Sequence, residues 1–493
     1  MADGSTAPVS IVVAGGGVTG LTTAYRLLAQ GGPRVRVTVV ESGDRLGGKI
    51  KTVRRDGLVL DGGPDAFVTA KPHATALCKD LGLGDRLIGT RPESRRVYMH
   101  ARGKTFHLPE GLVLAIPTRF WPLVKSPLFS WPGLARMGAD LVLPRGKRDV
   151  DESIADFLGR RLGAEVVDRL GDPLLGGIYA GDPRRLSMEA TFPQLLELET
   201  KHRSLMLGAL AGRRSAASKG SAGGAPASKP GGPPPSVFYS LRGGLGEIIE
   251  TLAREIRERG GEIRMGTRLT SVAHAATGEG MRLTLEPTSD GSGSAEVVDA
   301  DRVVVALPAK PAAAALETID PRISAELGEI EHVSTATCLL AFDRASIAHP
   351  LDAVGMILPK GADGAAMALT FVTSKWQDRA PEGTVVMRVF LGGYAHPEIK
   401  GMTDAEVESV ARAELARLLD IRAKPKLVEV FRWNDSSPQP VIGHLARMER
   451  VRRFLAPHPQ LRLAGAVYDG VGIPDCVRQA NEAAESILAS VRA

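Results

Sequence analysis

Aromatic residues are scarce in this chain of 493 residues, at 4% of the sequence, and cysteines number only three. Cys78, Cys338 and Cys476 lie far apart and show no CxxC spacing. This argues against a disulfide framework or a zinc site and indicates a reducing, cytoplasmic location. No uncharged apolar run reaches the ~18 residues of a membrane-spanning helix. The N-terminal segment lacks a cationic region before its short apolar run, so a signal peptide is not expected.

Basic and acidic residues are nearly equal in number, with a small excess of basic ones. Lys and Arg number 62 and Asp and Glu number 56, which leaves 62 − 56 = +6. Such an excess fits an anionic ligand, a membrane surface or nucleic acid and selects none of them. No nucleic-acid-binding motif follows in the chain, so we expect no nucleic-acid partner. At roughly 150 residues per domain, the length predicts about three domains.

The first motif is a glycine-rich loop between a strand and a helix. Residues 10–14 are β-branched or small and predict a buried strand. GxGxxG falls next, on Gly15, Gly17 and Gly20, and residues 21–30 carry an apolar helical face. In this arrangement the first glycine permits a tight turn, the second lets a pyrophosphate approach the backbone, and the third lets helix and strand pack closely.

An acidic residue completes the pattern. Residues 35–40 predict a second strand, which ends in Glu41, where a carboxylate can accept hydrogen bonds from ribose hydroxyls. N–H groups at the start of the helix, around Val18 and Thr19, offer partial positive charge to phosphates. The order of strand, loop, helix, strand and acid predicts dinucleotide binding. A glycine-rich turn with a purely structural role is the alternative.

A second glycine doublet distinguishes a predicted FAD site from a predicted NAD site. Arg45, Gly47 and Gly48 follow the acid closely, and a predicted strand at residues 58–61 then enters a Gly/Pro turn at residues 62–65. These residues resemble the ExxxRxGG signature of the two-domain flavoproteins that include monoamine oxidases, phytoene desaturases and protoporphyrinogen oxidases. The resemblance implies FAD, with the arginine near the pyrophosphate and the turn at the isoalloxazine ring.

Two later segments resemble the family's returns to the nucleotide domain, one near residues 242–272 and one from residue 461 onwards. Lys49 stands where many family members have arginine. A core role for Val272 and a simple capping role for the C-terminal helix are the alternatives. The cofactor contacts that the resemblance implies are Gly15, Gly17, Val18, Thr19, Gly20, Glu41, Ser42, Arg45, Gly47, Gly48, Gly63, Pro64, Asp65, Val272, Trp433, Gly465, Val471, Gly472 and Ile473.

The segment from residue 89 to 212 lacks a nucleotide-fold pattern. Two of the chain's four tryptophans, Trp121 and Trp131, cluster there with apolar and basic residues. This pattern fits a peripheral membrane contact at the inner face of the cell membrane, or a helical subdomain that packs its apolar faces inward. Residues 213–235 are rich in Ser, Ala, Gly and Pro and predict a flexible linker.

The predicted fold class is α/β (α+β), with three units. A Rossmann-type FAD-binding domain takes the discontinuous segments 1–88, 236–308 and 433–493. A mixed-sheet substrate domain takes residues 309–432, and the helical domain is inserted at residues 89–212.

The most discriminating stretch covers residues 172–193, which read DPLLGGIYAGDPRRLSMEATFP. It resembles the GIYAGD…LS…FP pattern of oxygen-dependent protoporphyrinogen oxidases, which phytoene desaturases and monoamine oxidases lack. The resemblance implies that Arg95 or Arg96 binds a substrate propionate, because a guanidinium pairs with a carboxylate in a fork. It also implies substrate contacts for Gly177, Ile357 and Phe390.

The resemblance implies an FAD-dependent oxidase that converts protoporphyrinogen IX to protoporphyrin IX in heme biosynthesis, with O2 as acceptor and H2O2 as by-product. The flavin carries the hydride transfer, so no catalytic triad or metal is expected. Coproporphyrinogen III is the alternative substrate. An amine oxidase or desaturase, and a flavin-fold binding protein, are the alternatives from other classes. The sequence does not decide between a monomer and a homodimer.

Overall fold

The computed structural model describes residues 7–94, 96–101, 103–113, 115–119, 121–146, 150–218, 236–276, 278–288, 294–359 and 364–492. Its strands, in chain order, are β1 (Val9–Ala14), β2 (Val35–Val40), β3 (Thr52–Arg55), β4 (Leu58–Asp61), β5 (Phe67–Val68), β6 (Leu87–Gly89), β7 (Tyr98–Ala101), β8 (Lys104–His107), β9 (Leu112–Val113), β10 (Ile116–Pro117), β11 (Phe238–Leu241), β12 (Glu262–Arg264), β13 (Thr267–His274), β14 (Met281–Pro287), β15 (Glu296–Ala300), β16 (Arg302–Val305), β17 (His332–Asp343), β18 (Gly355–Ile357), β19 (Ala366–Phe371), β20 (Thr384–Gly392), β21 (Leu427–Pro438) and β22 (Leu461–Leu463).

The α-helices alternate with these strands and are concentrated between β10 and β11. They are α1 (Val18–Gly31), α2 (His73–Asp80), α3 (Trp121–Val124), α4 (Trp131–Gly138), α5 (Ile154–Leu162), α6 (Ala164–Val166), α7 (Gly177–Tyr179), α8 (Met188–Thr191), α9 (Pro193–His202), α10 (Leu205–Ser218), α11 (Gly246–Glu258), α12 (Ala309–Leu316), α13 (Pro321–Gly328), α14 (Val372–Lys375), α15 (Asp404–Leu419), α16 (His444–Leu455) and α17 (Ile473–Arg492). A π-helical segment, Val167–Gly176, leads into α7. Within the described residues, every helix is too short or too polar to traverse a lipid bilayer.

A parallel sheet of five strands, in the order β12-β2-β1-β16-β22, forms the nucleotide domain. Ile11 and Val13 on β1 are almost wholly buried, as expected for a parallel strand covered on both faces. Helices α1, α11 and α17 cover one face, and the β13–β15 sheet with α12 and α13 covers the other. The strands come from three separate stretches of the chain, which confirms the predicted Rossmann-type fold from discontinuous segments.

A mixed sheet of seven strands, in the order β21-β17-β20-β19-β18-β7-β8, forms the second body. Helix α15 packs on one face of this sheet. The other face turns toward the β3–β4 hairpin and buries Leu339, Val386 and Phe431 against it. This second face therefore lies directly beside the nucleotide domain.

The helical insertion begins later than residue 89 and extends beyond residue 212. Strands β7 and β8 belong to the seven-stranded sheet, because Tyr98 and Met99 pair in parallel with Met356 and Ile357. Helix α10 continues to Ser218, into the predicted linker, and the rest of that linker lies outside the described residues. We propose the three predicted units with these two boundaries shifted accordingly.

A buried ion pair stabilises the helical insertion. Arg161 is 1% exposed, and its Nε donates to Asp140 Oδ1 at 2.7 Å. Its remaining N–H groups donate to the carbonyl oxygens of Asp140, Pro144 and Arg203, each at 2.8 Å. The guanidinium therefore ties α5 to the segments before α5 and after α9.

Candidate functional site

The glycine loop after β1 has the close contacts that its sequence predicts. Gly15 has φ +111°, and a Cβ atom there would lie 2.5 Å from the Ala306 carbonyl oxygen. A Cβ atom at Gly20 would overlap the carbonyl oxygen of Gly15. Gly17 differs, because a Cβ atom there would meet nothing within 4 Å. Open space therefore lies in front of Gly17, where the prediction requires a phosphate.

The start of α1 is prepared for an anion. Gly17 occupies the N-cap without a capping side chain, and the first turn contains no acidic residue. The N–H groups of this turn, which include those of Val18 and Thr19, therefore remain available to a phosphate. Glu41 lies at the end of β2, and its two carboxylate oxygens each accept one backbone N–H, from Gly16 and Gly43, at 2.7 Å. A carboxylate retains lone pairs for ribose hydroxyls beyond these two bonds.

The second glycine doublet packs on the first loop. The Gly47 N–H donates to the Gly16 carbonyl at 2.8 Å, and Gly47 and Gly48 have φ +103° and +55°. Arg45 Nη2 donates to the Gly48 carbonyl at 2.6 Å, so the arginine holds this loop in shape. Ser42 is exposed beside it.

The C-terminal return brings the start of α17 beside the start of α1. The Cys476 thiol hydrogen-bonds to the Thr19 side chain, and burial raises its pKa. Lys49 lies near this thiol, and desolvation lowers the pKa of its amine, although its side chain remains accessible to solvent. A lysine with both properties lines an interior groove. Gly465 ends β22 with φ +140°, and Ile473 begins α17 directly after Val471 and Gly472.

Val272 lies elsewhere. Its side chain is wholly buried in the cluster formed with Leu269 and Leu283, and its backbone pairs with Leu283 on β14. The structure thus gives it the environment of a core residue. Its predicted contact with adenine stays a prediction.

The predicted ring-binding turn lies against the seven-stranded sheet. A Cβ atom at Gly62 would overlap the Phe431 ring. The Gly62 carbonyl oxygen accepts from Thr337 Oγ1 at 2.6 Å, from Arg388 Nη2 at 3.1 Å and from Trp433 Nε1 at 3.1 Å. Strands β17, β20 and β21 thus each donate to one carbonyl oxygen. The predicted contact of Trp433 with the cofactor stays a prediction.

Asp65, two residues after Gly63, lies in a buried cluster of charges. Its Oδ2 accepts from Lys375 Nζ at 2.8 Å and from Trp376 Nε1 at 2.9 Å. Burial alone would raise the pKa of Asp65, but the Lys375 and Arg388 cations hold it well below its usual range. The carboxylate is therefore ionised at neutral pH.

A cleft with a cavity volume of about 110 Å³ opens between the helical insertion and the seven-stranded sheet. One wall is the motif segment, from Asp172 to Asp182, and the other comes from the ends of β18, β19 and β20. The Tyr394 N–H donates to the Ala180 carbonyl at 2.8 Å and joins the two walls.

The predicted substrate residues divide between this cleft and other places. Gly177 lines the cleft. Ile357 directly precedes Leu358, another lining residue, and packs against the hydrophobic core of the helical insertion. Phe390 is half-buried on β20, four residues before Tyr394. Strand β20 therefore connects the Gly62–Gly63 turn with the cleft.

Of the two predicted propionate-binding arginines, Arg96 is not among the lining residues of this cleft. Arg96 is 66% exposed at the start of β7, and its Nη1 lies 4.0 Å from Asp352 Oδ2. Arg95 lies outside the described residues.

Sequence reasoning missed three side chains at the site. Arg185 lies beside the cleft-lining Tyr394, with its guanidinium carbon 5.7 Å from the centre of that ring, and it pairs with Glu331. Arg388 and Lys375 contact the turn region from distant parts of the chain. The Arg-Arg pair directly after GIYAGDP could have indicated Arg185, but no local pattern marks Arg388.

The unusual loop after Trp433 is well bonded. Asp435 accepts from Lys400 Nζ at 2.6 Å and from Ser334 Oγ at 3.3 Å. Gln439 Nε2 donates to the Tyr179 carbonyl at 3.0 Å, and Pro440 accepts from the Ser187 N–H at 2.9 Å. Gln439 and Pro440 therefore attach this segment to the motif wall of the cleft.

Comparison with known proteins identifies the family. Residues 18–488 match the model of the flavin containing amine oxidoreductases. The chain belongs to this family. It is an FAD-dependent oxidoreductase, and the open groove at Gly17 with its uncapped helix N-terminus fits the dinucleotide.

Several curated relatives are similar to this chain over nearly its whole length. The chain is 34% identical to a coproporphyrinogen III oxidase of Bacillus subtilis, over 97% of each protein. It is 36% identical to one of Propionibacterium freudenreichii, over 97% of the chain and 90% of the relative. It is 30% identical to the protoporphyrinogen oxidase of Homo sapiens, over 97% and 98%. The crystal structure of a putative protoporphyrinogen oxidase from Exiguobacterium superposes with a TM-score of 0.84 at 30% identity, over 99% of the chain and 100% of that structure.

The Gly62→Ala variant tests the turn. Because the new methyl group would overlap Phe431, we expect a loss of about 1–3 kcal/mol in the free energy of unfolding and weaker retention of FAD. Urea unfolding and the flavin absorbance of the purified protein measure the two effects. Gly212→Ala is the matched control, since a Cβ atom there meets nothing within 4 Å. Equal FAD retention in both variants would contradict this role of the turn.

His444 predicts a pH effect on stability. Burial lowers its pKa to about 4, helped by the nearby Arg447 and Arg452 cations. The unfolded imidazole titrates near ~6.5, so the neutral folded form contributes stability above that pH and loses it as pH falls toward 4. We expect His444→Gln to remove roughly 3 kcal/mol of the stability difference between these pH limits. Urea titrations of both proteins at the two limits check this, and identical pH dependence would refute it.

Proposed function

We propose that this protein oxidises a porphyrinogen to the corresponding porphyrin, with O2 as the electron acceptor. The observation that carries the proposal is the cleft, one wall of which is the GIYAGD segment. That segment resembles the porphyrinogen oxidases and not the other branches of the family. Curated relatives with porphyrinogen oxidase names match nearly the full chain and agree with this assignment.

We favour coproporphyrinogen III over protoporphyrinogen IX as the substrate. Relatives named for the former are 29–36% identical, two of them at 34% and 36%, and relatives named for the latter are 30–31% identical. Coproporphyrinogen carries two more propionates, and Arg185 beside Tyr394 offers a guanidinium for one of them. Arg95 and Arg96 remain proposed propionate partners.

FAD, when bound, supplies the hydride acceptor for each dehydrogenation. We propose that Gly17 and the first turn of α1 hold its pyrophosphate, Glu41 its ribose, and the Gly62–Gly63 turn its ring. Each dehydrogenation takes one hydride and one proton from the substrate and reduces one O2 to H2O2. The chain's task is to hold the substrate, keep water out of the cleft and accept released protons.

His396 is the proposed proton acceptor in the cleft. Its Nδ1 lies 3.0 Å from Glu398 Oε1, which leaves Nε2 as the ring nitrogen that can exchange a proton. Histidine side chains commonly serve as proton acceptors in enzymes. Phe390 offers an aromatic ring to the macrocycle beside the turn.

Anaerobic mixing with each porphyrinogen tests the function. We expect coproporphyrinogen III to bleach the flavin absorbance fastest, protoporphyrinogen IX more slowly, and O2 to restore the colour with formation of H2O2. Arg185→Met should raise KM for coproporphyrinogen about tenfold, since about 1.4 kcal/mol of charge-assisted bonding would be lost. Bleaching by an amine or a carotenoid alone would overturn the assignment.

We also propose a peripheral membrane contact through the helical insertion. Trp121 and Trp131 are 72% and 73% exposed, and Lys125 between them is exposed as well. Their neighbours Leu123 and Phe129 pack inward, so the apolar segment serves both the core and the surface. Exposed tryptophans with adjacent cations suit the headgroup region of an anionic bilayer.

Co-sedimentation with anionic liposomes checks this contact. The double variant Trp121→Ser/Trp131→Ser should lose most of the bound fraction, because the two indoles supply the apolar surface. Val297→Ser, which removes a 60% exposed valine from β15, is the matched control and should bind as wild type does. Failure of the wild-type protein to co-sediment would remove the membrane proposal.

A further inference from the structure

Arg388 contacts the turn that the proposed function assigns to the flavin ring. Its Nη2 donates to both the Gly62 and the Gly63 carbonyl oxygens. The residue is 3% exposed on β20, and its Nε has no hydrogen-bond partner in the structure. A guanidinium buried in this way carries a large desolvation cost, which the carbonyl and carboxylate contacts must offset.

The charges around Arg388 leave an excess of positive charge. Asp61 pairs with Arg379 at 3.1 Å and Asp65 pairs with Lys375 at 2.8 Å. Arg388 interacts electrostatically with both carboxylates. With all five groups ionised, three cations oppose two carboxylates behind the turn. In a buried cluster such a charge acts over a longer range than at the surface.

Arg388 also contacts the aromatic side chain of Phe390 on its own strand. Phe390 follows by two residues, so both side chains lie on the same face of β20. The guanidinium carbon lies 4.3 Å from the centre of the Phe390 ring. One side chain thus contacts both the backbone of the turn and the aromatic ring of Phe390.

We propose that Arg388 is a positioning residue: it fixes the Gly62–Gly63 turn relative to the Phe390 ring and places a buried positive charge behind that turn. The proposal rests on the proposed function, because the assignment of the flavin ring to the turn does. A positive charge near the ring favours the reduced cofactor, which is the more electron-rich form. Arg388 therefore raises the reduction potential of bound FAD.

The sign of the shift in reduction potential distinguishes this role from a purely structural one. Arg388→Met removes the positive charge, so we expect reduced FAD to lose about tenfold in affinity relative to oxidised FAD, which lowers the midpoint potential by about 30 mV. Asp65→Asn removes a neighbouring negative charge and should raise the potential. Arg388→Lys retains the charge but not the two-carbonyl fork, so we expect a small potential shift and a raised KM for the porphyrinogen. General loosening of the fold would not give opposite signs.

The measurement is an anaerobic reductive titration of each holoenzyme against a redox dye, together with its melting temperature. Arg161→Lys is the matched control, since Arg161 is an equally buried arginine in the helical insertion. It should lower the melting temperature and leave the potential at the wild-type value. If Arg388→Met does not fold, Arg388→Lys and Asp65→Asn complete the test.

Equal potentials in wild type, Arg388→Met and Asp65→Asn would overturn the proposal, and so would shifts of the same sign in the two variants. The titration uses no porphyrinogen. A failure of the proposed substrate therefore shows in turnover alone, and a failure of this inference shows in the potentials alone.

Discussion

The carbonyl oxygen of Gly62 is the point on which the arrangement of the two sheets depends. It accepts hydrogen bonds from Thr337, Arg388 and Trp433, one on each of three adjacent strands. Glycine is required because the Phe431 ring occupies the place of a side chain. The loop from the nucleotide domain is thereby fixed to the sheet that carries the cleft.

Buried charges make this junction stiff and insensitive to pH. Asp65 stays ionised because Lys375 and Arg388 surround it, and its acceptor bonds orient Trp376 and Lys375 at the same time. A second, uncharged contact attaches the motif segment to the seven-stranded sheet: the Tyr394 N–H donates to the Ala180 carbonyl. Ala180 has φ +50°, so the motif segment holds a strained backbone where it meets the sheet. This segment forms one wall of the cleft, and the ends of β18, β19 and β20 form the other.

The nucleotide fold could be predicted from the sequence because its signals are local. Gly15 and Gly20 permit close backbone contacts within the loop, and Gly17 leaves space for a phosphate, as in any loop of this kind. The buried strands can be recognised directly from their runs of β-branched residues. Arg388 could not be found in this way, since its partners lie more than 300 positions away and a strand arginine carries no distinctive pattern. The place of the β7–β8 pair could not be predicted, because its partner strand, β18, comes much later in the chain. The predicted helical insertion and mixed sheet are present.

A crystal structure of the holoenzyme soaked anaerobically with a non-oxidisable porphyrin tests the central claim most directly. The account predicts the flavin ring against the Gly62–Gly63 turn, the macrocycle between Phe390 and the segment Gly177–Tyr179, and all three hydrogen bonds to the Gly62 carbonyl retained. A flavin ring away from this turn, or a turn released from Arg388 on cofactor binding, would contradict it.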